Sequence, residues 1–257
     1  MPDLSIVIPT YNRSRSLASC LVAVRNAVRR PYEIIVVDGA SEDGTSAVLA
    51  NVGETMGERL RVLREPRREG FVKAANKGFR AARGKYLMWL NDDARPLPES
   101  LDRAIEQLRC APPKVGMVAL FHPAHTMRNI AFEARHRGRA FQVLHVRGTL
   151  YANFGIASRS LFERLNFFDE RYFLNGADPD FSLKTWESGL SVVPAFGALV
   201  DHDELEDERR EADRDLAVAD NARLFEKWDL PDRNPTMNDF DQTRPCTLRG
   251  LRTARAA

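Results

Sequence analysis

Acidic and amide side chains recur in this sequence directly after short apolar runs, where they could hold a cation. The run at 86–90 ends in three successive polar residues, Asn91, Asp92 and Asp93. Because side chains alternate along an extended chain, Asn91 and Asp93 can share one face while Asp92 points the other way. An amide oxygen and a carboxylate on one face suit Mg²⁺ or Mn²⁺. The alternative is an ordinary polar exit from a strand, since Asn and Asp are common turn residues.

The runs that would position these side chains alternate with helical patterns. Five of them are short, apolar and typical of buried strands: 4–8, 33–37, 61–63, 86–90 and 115–121. This alternation predicts an α/β fold with a mostly parallel, doubly wound central sheet. Ligands of such sheets bind at the carboxyl ends of the strands, so Asp38 and Asp93 are expected at one crevice.

Three acidic clusters, at 38–43, 91–93 and 178–180, lie at strand or loop ends, and His202 is a fourth polar point. Carboxylates gathered in one crevice repel each other unless a cation or a shared proton offsets the repulsion. A divalent cation with a phosphorylated ligand is one arrangement that does so. The loop after the first strand has neither a Gly-x-Gly-x-x-Gly pattern nor a Gly-rich Lys-Ser/Thr ending, so dinucleotide-dependent oxidoreductases and P-loop enzymes are poorly supported.

Composition sets the broad class. A chain of 257 residues with 44% hydrophobic and 29% charged residues is typical of a soluble globular protein of one or two domains. The net charge of +2 gives no basic field that would favour nucleic acid. Three widely spaced cysteines indicate neither a disulfide framework nor a zinc site. No signal peptide or membrane-spanning run is evident, so we expect a cytoplasmic location.

The stretch 122–151 differs in character from the chain before it. Residues 131–146 are expected to form a hairpin. The whole stretch 122–151 holds one acidic residue, Glu133, against five arginines: Arg128, Arg135, Arg137, Arg139 and Arg147. It is either a solvated hairpin surface or a surface for an acidic partner. Further on, 205–228 is predicted to be a charged helix whose apolar residues pack inward: Leu216, Leu224, Phe225 and Trp228.

Several motifs stand in an order that is similar to a known family. They are VIPTYNR at 7–13, VVDGASEDGT at 36–45, the helix leading into LNDD at 70–93, and DERYF with the following Asp-Pro-Asp at 169–180. Together with His202 they resemble inverting glycosyltransferases of family 2, which have the GT-A fold. The likeness covers roughly residues 4–203 and rests on ordered spacing rather than on one short pattern. At Asn91 the metal motif is similar to that of some rhamnosyltransferase-like members.

The resemblance implies a role for each matching residue. Eight would bind the nucleotide: Pro9, Thr10, Tyr11, Arg13, Asp38, Ser41, Asn76 and Asp92. Asp93, with Asn91 and His202, would hold Mn²⁺ or Mg²⁺ against the donor diphosphate. Asp178 would be the general base that activates the acceptor hydroxyl. The family's Glu-Asp motif is replaced here by Ala177-Asp178, so Asp180 is the alternative base.

The resemblance also implies a layout and an activity. Residues 1–230 would form one GT-A domain, with a nucleotide-binding half (1–121), an acceptor-side half with a small antiparallel sheet (122–203) and a C-terminal helix (204–230), followed by a polar tail (231–257). The domain would transfer a sugar, with inversion, from a UDP- or dTDP-linked donor to an acceptor hydroxyl in polysaccharide or other glycoconjugate synthesis.

The partners expected from this activity are a nucleotide-sugar donor and a saccharide or lipid-linked acceptor, not nucleic acid. The expectation leaves room for a homodimer and for peripheral contact with the inner face of the membrane. The alternative function is a nucleotide-sugar binding module without turnover. A sugar nucleotidyltransferase is a weaker alternative, because the loop after the first strand is not the Gly-rich, basic loop such an enzyme would need.

Overall fold

The computed structural model describes residues 1–123, 129–203 and 207–230, which excludes Arg128 and the predicted tail at 231–257. The strands are β1 (Leu4–Thr10), β2 (Tyr32–Asp38), β3 (Leu60–Arg64), β4 (Tyr86–Trp89), β5 (Ala94–Pro96), β6 (Val115–Phe121), β7 (Ile130–His136), β8 (Arg139–Val146), β9 (Thr149–Tyr151), β10 (Gly155–Ser158) and β11 (Ser191–His202). The helices are α1 (Ser14–Ala27), α2 (Thr45–Met56), α3 (Phe71–Ala81), α4 (Ser100–Cys110), α5 (Arg159–Arg164), α6 (Ala177–Glu187), α7 (Glu208–Ala212) and α8 (Arg214–Lys227).

Eight strands form one sheet in the order β3-β2-β1-β4-β10-β6-β11-β5. Neighbouring strands from β3 to β4 pair in parallel, as do β6 and β11, whereas β10 and β5 run antiparallel to their neighbours. Strands β7, β8 and β9 form a separate antiparallel sheet. The predicted mostly parallel α/β fold, with a small antiparallel sheet, is therefore confirmed.

Helices cover both faces of the large sheet, which explains why its strands lack polar alternation. All seven residues of β1 are buried. Val7 belongs to one hydrophobic core, while Ile6 and Ile8 belong to the other, on the opposite face. In β4, Trp89 likewise packs into the first core and Met88 into the second. A strand covered in this way must be apolar at every position until it leaves the sheet.

The register of the parallel strands brings their exits to one edge. Thr10 at the end of β1 pairs with Asp38 at the end of β2, and Val7 pairs with Trp89 of β4. One residue later, the Leu90 N–H donates to the Val7 carbonyl oxygen at 2.9 Å, and the chain then leaves the sheet. The loops that begin near residues 11, 39 and 91 consequently lie side by side.

Four strands differ from the sequence-based expectation: β5, β9 and β10 were not predicted, and β11 joins two predicted strands. β10 is an antiparallel strand inserted between β4 and β6, and no strand was predicted there. It is only four residues long, and pairing on both sides compensates for its weak local pattern. The short apolar runs at 190–194 and 196–200 predict two strands, but they form one strand, β11, whose pairing with β6 is irregular between Pro194 and Leu199.

The predicted C-terminal helix at 205–228 is two helices within the described residues, α7 and α8. Leu224, Phe225 and Trp228 are buried as predicted, but Leu216 is 43% exposed, so its assignment to the inward face was wrong. In the described part of the chain, the helices are too short or too polar to cross a membrane.

Candidate active site

A cavity of about 390 Å³ opens where β1 and β4 leave the large sheet. Most of the predicted site residues line it. From the loop after β1 these are Pro9, Thr10, Tyr11 and Arg13; from the loop after β4 they are Asn91, Asp92 and Asp93. Asp178 at the start of α6 and His202 at the end of β11 complete the set. Side chains separated by up to 193 positions thus share one hollow because strand ends of the same sheet and one helix start converge there.

Asp92 lies at the floor of the cavity between β1 and β4. Its Oδ2 accepts a hydrogen bond from the Thr10 hydroxyl at 2.9 Å, and its Oδ1 lies 3.4 Å from Nη1 of Arg13. Burial nevertheless raises the pKa of the Asp92 carboxyl above its ordinary value, against the opposing charges of Arg209 and Arg13. Its contacts tie the two loops together.

Asp93 is held by two partners. Its Oδ1 lies 3.1 Å from Nε2 of His202, and its Oδ2 accepts a hydrogen bond from Arg13 at 2.6 Å. Burial alone would raise the pKa of this carboxyl, but the hydrogen bond from His202 and the charges of His202 and Arg13 outweigh it. The pKa of Asp93 is therefore held well below its ordinary range, and the carboxylate is ionised at neutral pH.

The donor atoms around Asp93 fit a divalent cation. Two ligands at neighbouring positions of an octahedral Mg²⁺, each about 2.1 Å from the ion, are about 3 Å apart. The 3.1 Å between Asp93 Oδ1 and His202 Nε2 matches this spacing. The Asn91 amide nitrogen lies 3.3 Å from the same His202 nitrogen, and the oxygen of that amide would be the ligand. The described residues contain no group of three or more His, Cys, Asp or Glu side chains that could hold a metal ion. A cation here would need further oxygens from a ligand or water.

Asp178 reaches the cavity from the first turn of α6. The helix follows Gly176, whose φ of +80° belongs to the left-handed region, and a Cβ there would lie 3.1 Å from the Tyr172 ring. Burial raises the pKa of the Asp178 carboxyl to about 7, with a smaller opposing effect from its own backbone N–H and the charge of His202. Among the described residues, no lysine or arginine forms an ion pair with it.

Asp180, the alternative base, lies in the same helix but faces away from the cavity. It is fully buried, and its Oδ1 accepts hydrogen bonds from Trp228 Nε1 at 2.8 Å and Lys227 Nζ at 2.7 Å. These contacts join α6 to the end of α8. Asp180 is therefore part of the packing of these two helices and does not line the hollow.

Helix α8 also fixes the loop that precedes α6. The buried carboxylate of Asp220 accepts the backbone N–H groups of Phe173, Leu174 and Asn175 at 2.7 to 3.0 Å. Two of these residues, Leu174 and Asn175, line the cavity. Because both this loop and α6 are bonded to α8, the C-terminal helices determine where Asp178 sits.

Three residues predicted to bind nucleotide are not brought to the cavity wall. The Asp38 side chain is buried, and its Oδ1 accepts the Ser41 N–H at 3.0 Å; the neighbouring Gly39 lines the hollow instead. Ser41 accepts the Asn12 N–H. The Asn76 amide is fully buried and bonds to both backbone groups of Phe168, so it holds α3 to the segment after α5.

Other cavity residues had not been predicted. Glu65 and Arg68 follow β3 at the same sheet edge, so the rule applied to the other strand ends could have found them. The Arg68 guanidinium lies 4.6 Å from the centre of the Tyr11 ring and forms an ion pair with Asp213. Arg209 and Asp213 come from the charged C-terminal segment, whose mixed charges predicted only a solvated surface.

The far end of the cavity is formed by the small sheet and the chain that follows it. Leu144 of β8, Tyr151 of β9, and Asn153 line this end together with Trp89 and His122. The Trp89 indole N–H donates to the Asn153 carbonyl oxygen at 2.7 Å, which joins the large sheet to the chain that follows the small sheet. This end of the cavity is richer in aromatic groups and poorer in charge than the end around Asp93.

The basic residues of the small sheet are not one surface. Arg147 is 1% exposed, so its assignment to a surface patch was wrong. Arg135 and Arg139 are exposed, and each lies near one carboxylate: Arg135 is 3.2 Å from Glu133, and Arg139 is 2.9 Å from Asp201.

Comparison with known proteins identifies the family. The model of the family described as "Glycosyl transferase family 2" matches residues 5–162, more than half of the chain. The chain belongs to glycosyl transferase family 2. Its matched region contains Thr10, Arg13, Asp92 and Asp93 but ends before Asp178.

Curated relatives match less than half of this family 2 chain. It is 32% identical over 110 residues to the glycosyltransferase AglE of Haloferax volcanii, which covers 42% of this chain and 36% of that protein. It is 30% identical over 106 residues to an undecaprenyl-phosphate 4-deoxy-4-formamido-L-arabinose transferase of Edwardsiella ictaluri, covering 40% and 33%. The matches span about a third of the length of these relatives.

Solved structures share the fold over more of the chain. The mannosyltransferase PcManGT of Pyrobaculum calidifontis, in complex with GDP-Man and Mn²⁺, has a TM-score of 0.68 at 20% identity, covering 98% of this chain and 68% of that one. TarS of S. aureus (residues 1–349), in complex with UDP-GlcNAc, has a TM-score of 0.65 at 18% identity, covering 88% and 64%. This chain of glycosyl transferase family 2 therefore has the GT-A fold.

Proposed function

We propose that this chain transfers a sugar from a nucleotide diphosphate donor to an acceptor hydroxyl, with inversion at the anomeric carbon and with the help of a divalent cation. The observation that carries the proposal is the convergence on one cavity of an ionised carboxylate beside an imidazole, Asp93 and His202, and of a second carboxylate, Asp178, with a raised pKa. These are the two kinds of group that the reaction needs.

The donor would occupy the end of the cavity at β1 and β4. Thr10, Tyr11, Arg13, Glu65 and Arg68 line this end, and the Arg68 guanidinium lies against the Tyr11 ring. Arg13 contacts both carboxylates of the floor, so its guanidinium would lie beside a diphosphate bound there. The complexes of PcManGT with GDP-Man and of TarS with UDP-GlcNAc support this class of donor. A UDP- or dTDP-sugar is our proposal.

Asp93 and His202, with Asn91 beside them, would hold Mn²⁺ or Mg²⁺. When bound, the cation would neutralise negative charge that develops on the departing nucleoside diphosphate. The Mn²⁺ in the PcManGT complex supports this cofactor class. Arg13 would contribute in the same direction from the other oxygen of Asp93.

Asp178 would act as the general base. Its carboxylate would take the proton of the acceptor hydroxyl while that oxygen forms a bond to the anomeric carbon and the bond to the diphosphate breaks on the opposite side. A raised pKa makes the carboxylate a better proton acceptor at neutral pH than an ordinary aspartate. Asp180 is committed to Lys227 and Trp228, which favours Asp178 for this role.

The acceptor would enter from the side of the small sheet, at the end formed by Leu144, Tyr151 and Asn153. In this proposal residues 1–121 bind the donor and 122–203 face the acceptor. The name of the Edwardsiella ictaluri relative includes a lipid phosphate, which supports a lipid-linked or phosphate-bearing acceptor and a role in glycoconjugate synthesis.

Isothermal titration tests the donor and metal assignments. We expect wild type to bind UDP, with an affinity that rises when Mn²⁺ is added, and Asp93→Ala to lose that rise. A screen of nucleotide sugars for slow hydrolysis, read as released diphosphate, then identifies the donor. Absence of binding to UDP, dTDP and GDP, or a metal effect that survives in Asp93→Ala, contradicts the proposal.

The second candidate is a nucleotide-sugar binding module without turnover. It is motivated by two departures from the family motif, Asn91 in the metal motif and Ala177 before Asp178. It predicts UDP binding with no hydrolysis or transfer for any donor in the screen, whereas an enzyme consumes at least one donor.

A further inference from the structure

Four arginines line the cavity: Arg13, Arg68, Arg209 and Arg210. The first two of them are held by carboxylates of the C-terminal segment. Arg13 donates to Asp207 through Nε at 2.7 Å, besides its contacts with the floor. Arg68 forms an ion pair with Asp213 and lies against the Tyr11 ring. Asp207 and Asp213 flank helix α7, so this short helix is attached to the cavity rim by an ion pair at each end.

Arg209 lies along the chain between these two ion pairs. Its side chain lines the cavity, yet within the described residues it forms neither a hydrogen bond nor an ion pair. Its Nε is buried and has no hydrogen-bond partner among those residues. A buried donor of a cation without a partner is costly unless a ligand supplies the acceptor.

The electrostatic surroundings of Arg209 point in the same direction. Burial lowers the pKa of its guanidinium below the ordinary value; Asp92 is the main charge that opposes this effect, and Arg13 adds to it. The positive charge of Arg209 is thus incompletely compensated by the protein. A dianionic group placed in the cavity would face Arg13 and Arg209 together, and guanidinium groups bind phosphate oxygens in a two-pronged geometry.

We propose that Arg209 binds the diphosphate of the donor and stabilises it as the leaving group. This inference rests on the proposed function. It extends the donor site to α7, a helix that lies outside the matched family region of 5–162. It also supplies positive charge that does not depend on the metal ion, in a site where one metal-motif position is the neutral Asn91.

A series of truncated ligands tests this role. UDP, UMP and uridine are titrated into wild type, Arg209→Ala and Arg209→Lys, once with Mn²⁺ and once with EDTA; if wild type binds dTDP or GDP more tightly, the corresponding series replaces these three. The matched control is Arg214→Ala, an exposed arginine five positions further along the chain. Thermal unfolding of every variant checks that the fold is retained.

We expect Arg209→Ala to weaken UDP binding about tenfold to a hundredfold, the effect of losing a hydrogen bond between charged groups. The loss should be smaller for UMP, absent for uridine, partly restored in Arg209→Lys, and present in EDTA as well as in Mn²⁺. Arg214→Ala should bind all three ligands as wild type does.

An equal loss for UDP and uridine would show that Arg209 only supports the shape of the cavity, and an unchanged affinity for UDP would show that it does not touch the diphosphate. Either result overturns the inference and leaves the proposed function standing. Failure of wild type to bind any of the three nucleoside diphosphates overturns both.

Discussion

The two ends of the cavity place the same type of side chain under opposite conditions. At the donor end, Asp93 lies between Arg13 and His202, and its pKa is held low. At the acceptor end, Asp178 is half-buried and has no lysine or arginine ion-pair partner among the described residues, and desolvation raises its pKa to about 7. Both carboxylates have lost much of their hydration, so their pKa values differ because their neighbouring groups differ.

This contrast separates two functions that a single carboxylate cannot combine. A group that holds a cation must stay ionised throughout, whereas a general base must gain a proton and therefore needs a pKa near the working pH. Pairing with cations suits Asp93 to the first task, and desolvation without a cationic partner suits Asp178 to the second. The predictions that follow alter one end at a time.

The largest effect is expected at the acceptor end. Asp178→Asn keeps the size of the side chain but removes the proton acceptor, so the rate of sugar transfer should fall about 10²- to 10⁴-fold. UDP affinity should stay within about twofold of wild type, because the donor end is untouched. Steady-state kinetics and titration measure the two quantities separately. Equal losses in rate and in donor affinity would mean that the two ends are not independent.

A second variant tests whether the loss of another carboxylate of α6 also lowers the rate of sugar transfer. Asp180→Ala removes the partner of Lys227 and Trp228, and the free energy of unfolding should fall by about 2–3 kcal/mol. The estimate is below the usual cost of breaking a buried pair because the Lys227 side chain remains 23% exposed and can be hydrated. Urea unfolding followed by circular dichroism measures the change. A normal stability with lost transfer would instead favour Asp180 as the base.

The pH profile tests the same contrast with unaltered protein. Asp178 must be deprotonated to act, so kcat/KM should rise about tenfold per pH unit below about pH 7 and level off above it. Asp93 should contribute no inflection in this range, since its pKa lies far lower. A profile that is flat from about pH 5.5 to about pH 8.5 would contradict the role of Asp178.

The free energy of unfolding should depend on pH with the opposite sign to kcat/KM: it should fall as the pH rises. The pKa of Asp178 is higher in the folded state than its ordinary value of 3.8, so the folded state binds the proton more tightly than the unfolded chain. The stabilisation is complete below the ordinary pKa and is lost as the pH rises through about 7. Asp178→Asn should lack this loss, which makes it the control for unfolding measured across the same range.

The donor end could be predicted from sequence to a large extent, and the reason is geometric. Parallel strands that end in Thr10 and Trp89 leave the sheet at one edge, so the polar residues just after them must be close in space. The apolar runs that define those strands are long enough to be recognised. The same rule explains why Asp38 was named, although it cannot foresee that its carboxylate turns back to the Ser41 N–H.

The acceptor end, and helix α7 at the donor end, were less predictable from sequence. Strand β10 owes its existence to pairing partners on both sides rather than to its own pattern. Asn76 looked like a ligand because of its place in a motif, but its amide bonds to the backbone of Phe168. No local sequence pattern singles out Arg209, because a charged segment predicts only exposed side chains. Its position became evident only from the ion pairs that Asp207 and Asp213 form.

The smallest effect is expected from the exposed arginines of the small sheet, which test whether the acceptor end extends beyond the cavity. Arg135→Glu with Arg139→Glu should raise the KM for a phosphate-bearing acceptor a few-fold and leave UDP affinity unchanged, because exposed charges contribute about 1 kcal/mol or less each. The change should diminish as salt is added, since exposed charges are screened. The control is Arg171→Glu, an exposed arginine paired with Asp169 outside the small sheet, which should leave this KM unaltered. An acceptor KM that is the same in the double variant and in wild type at low salt would confine acceptor recognition to the cavity. Asp178 is the only charged residue of α6 that lines this cavity.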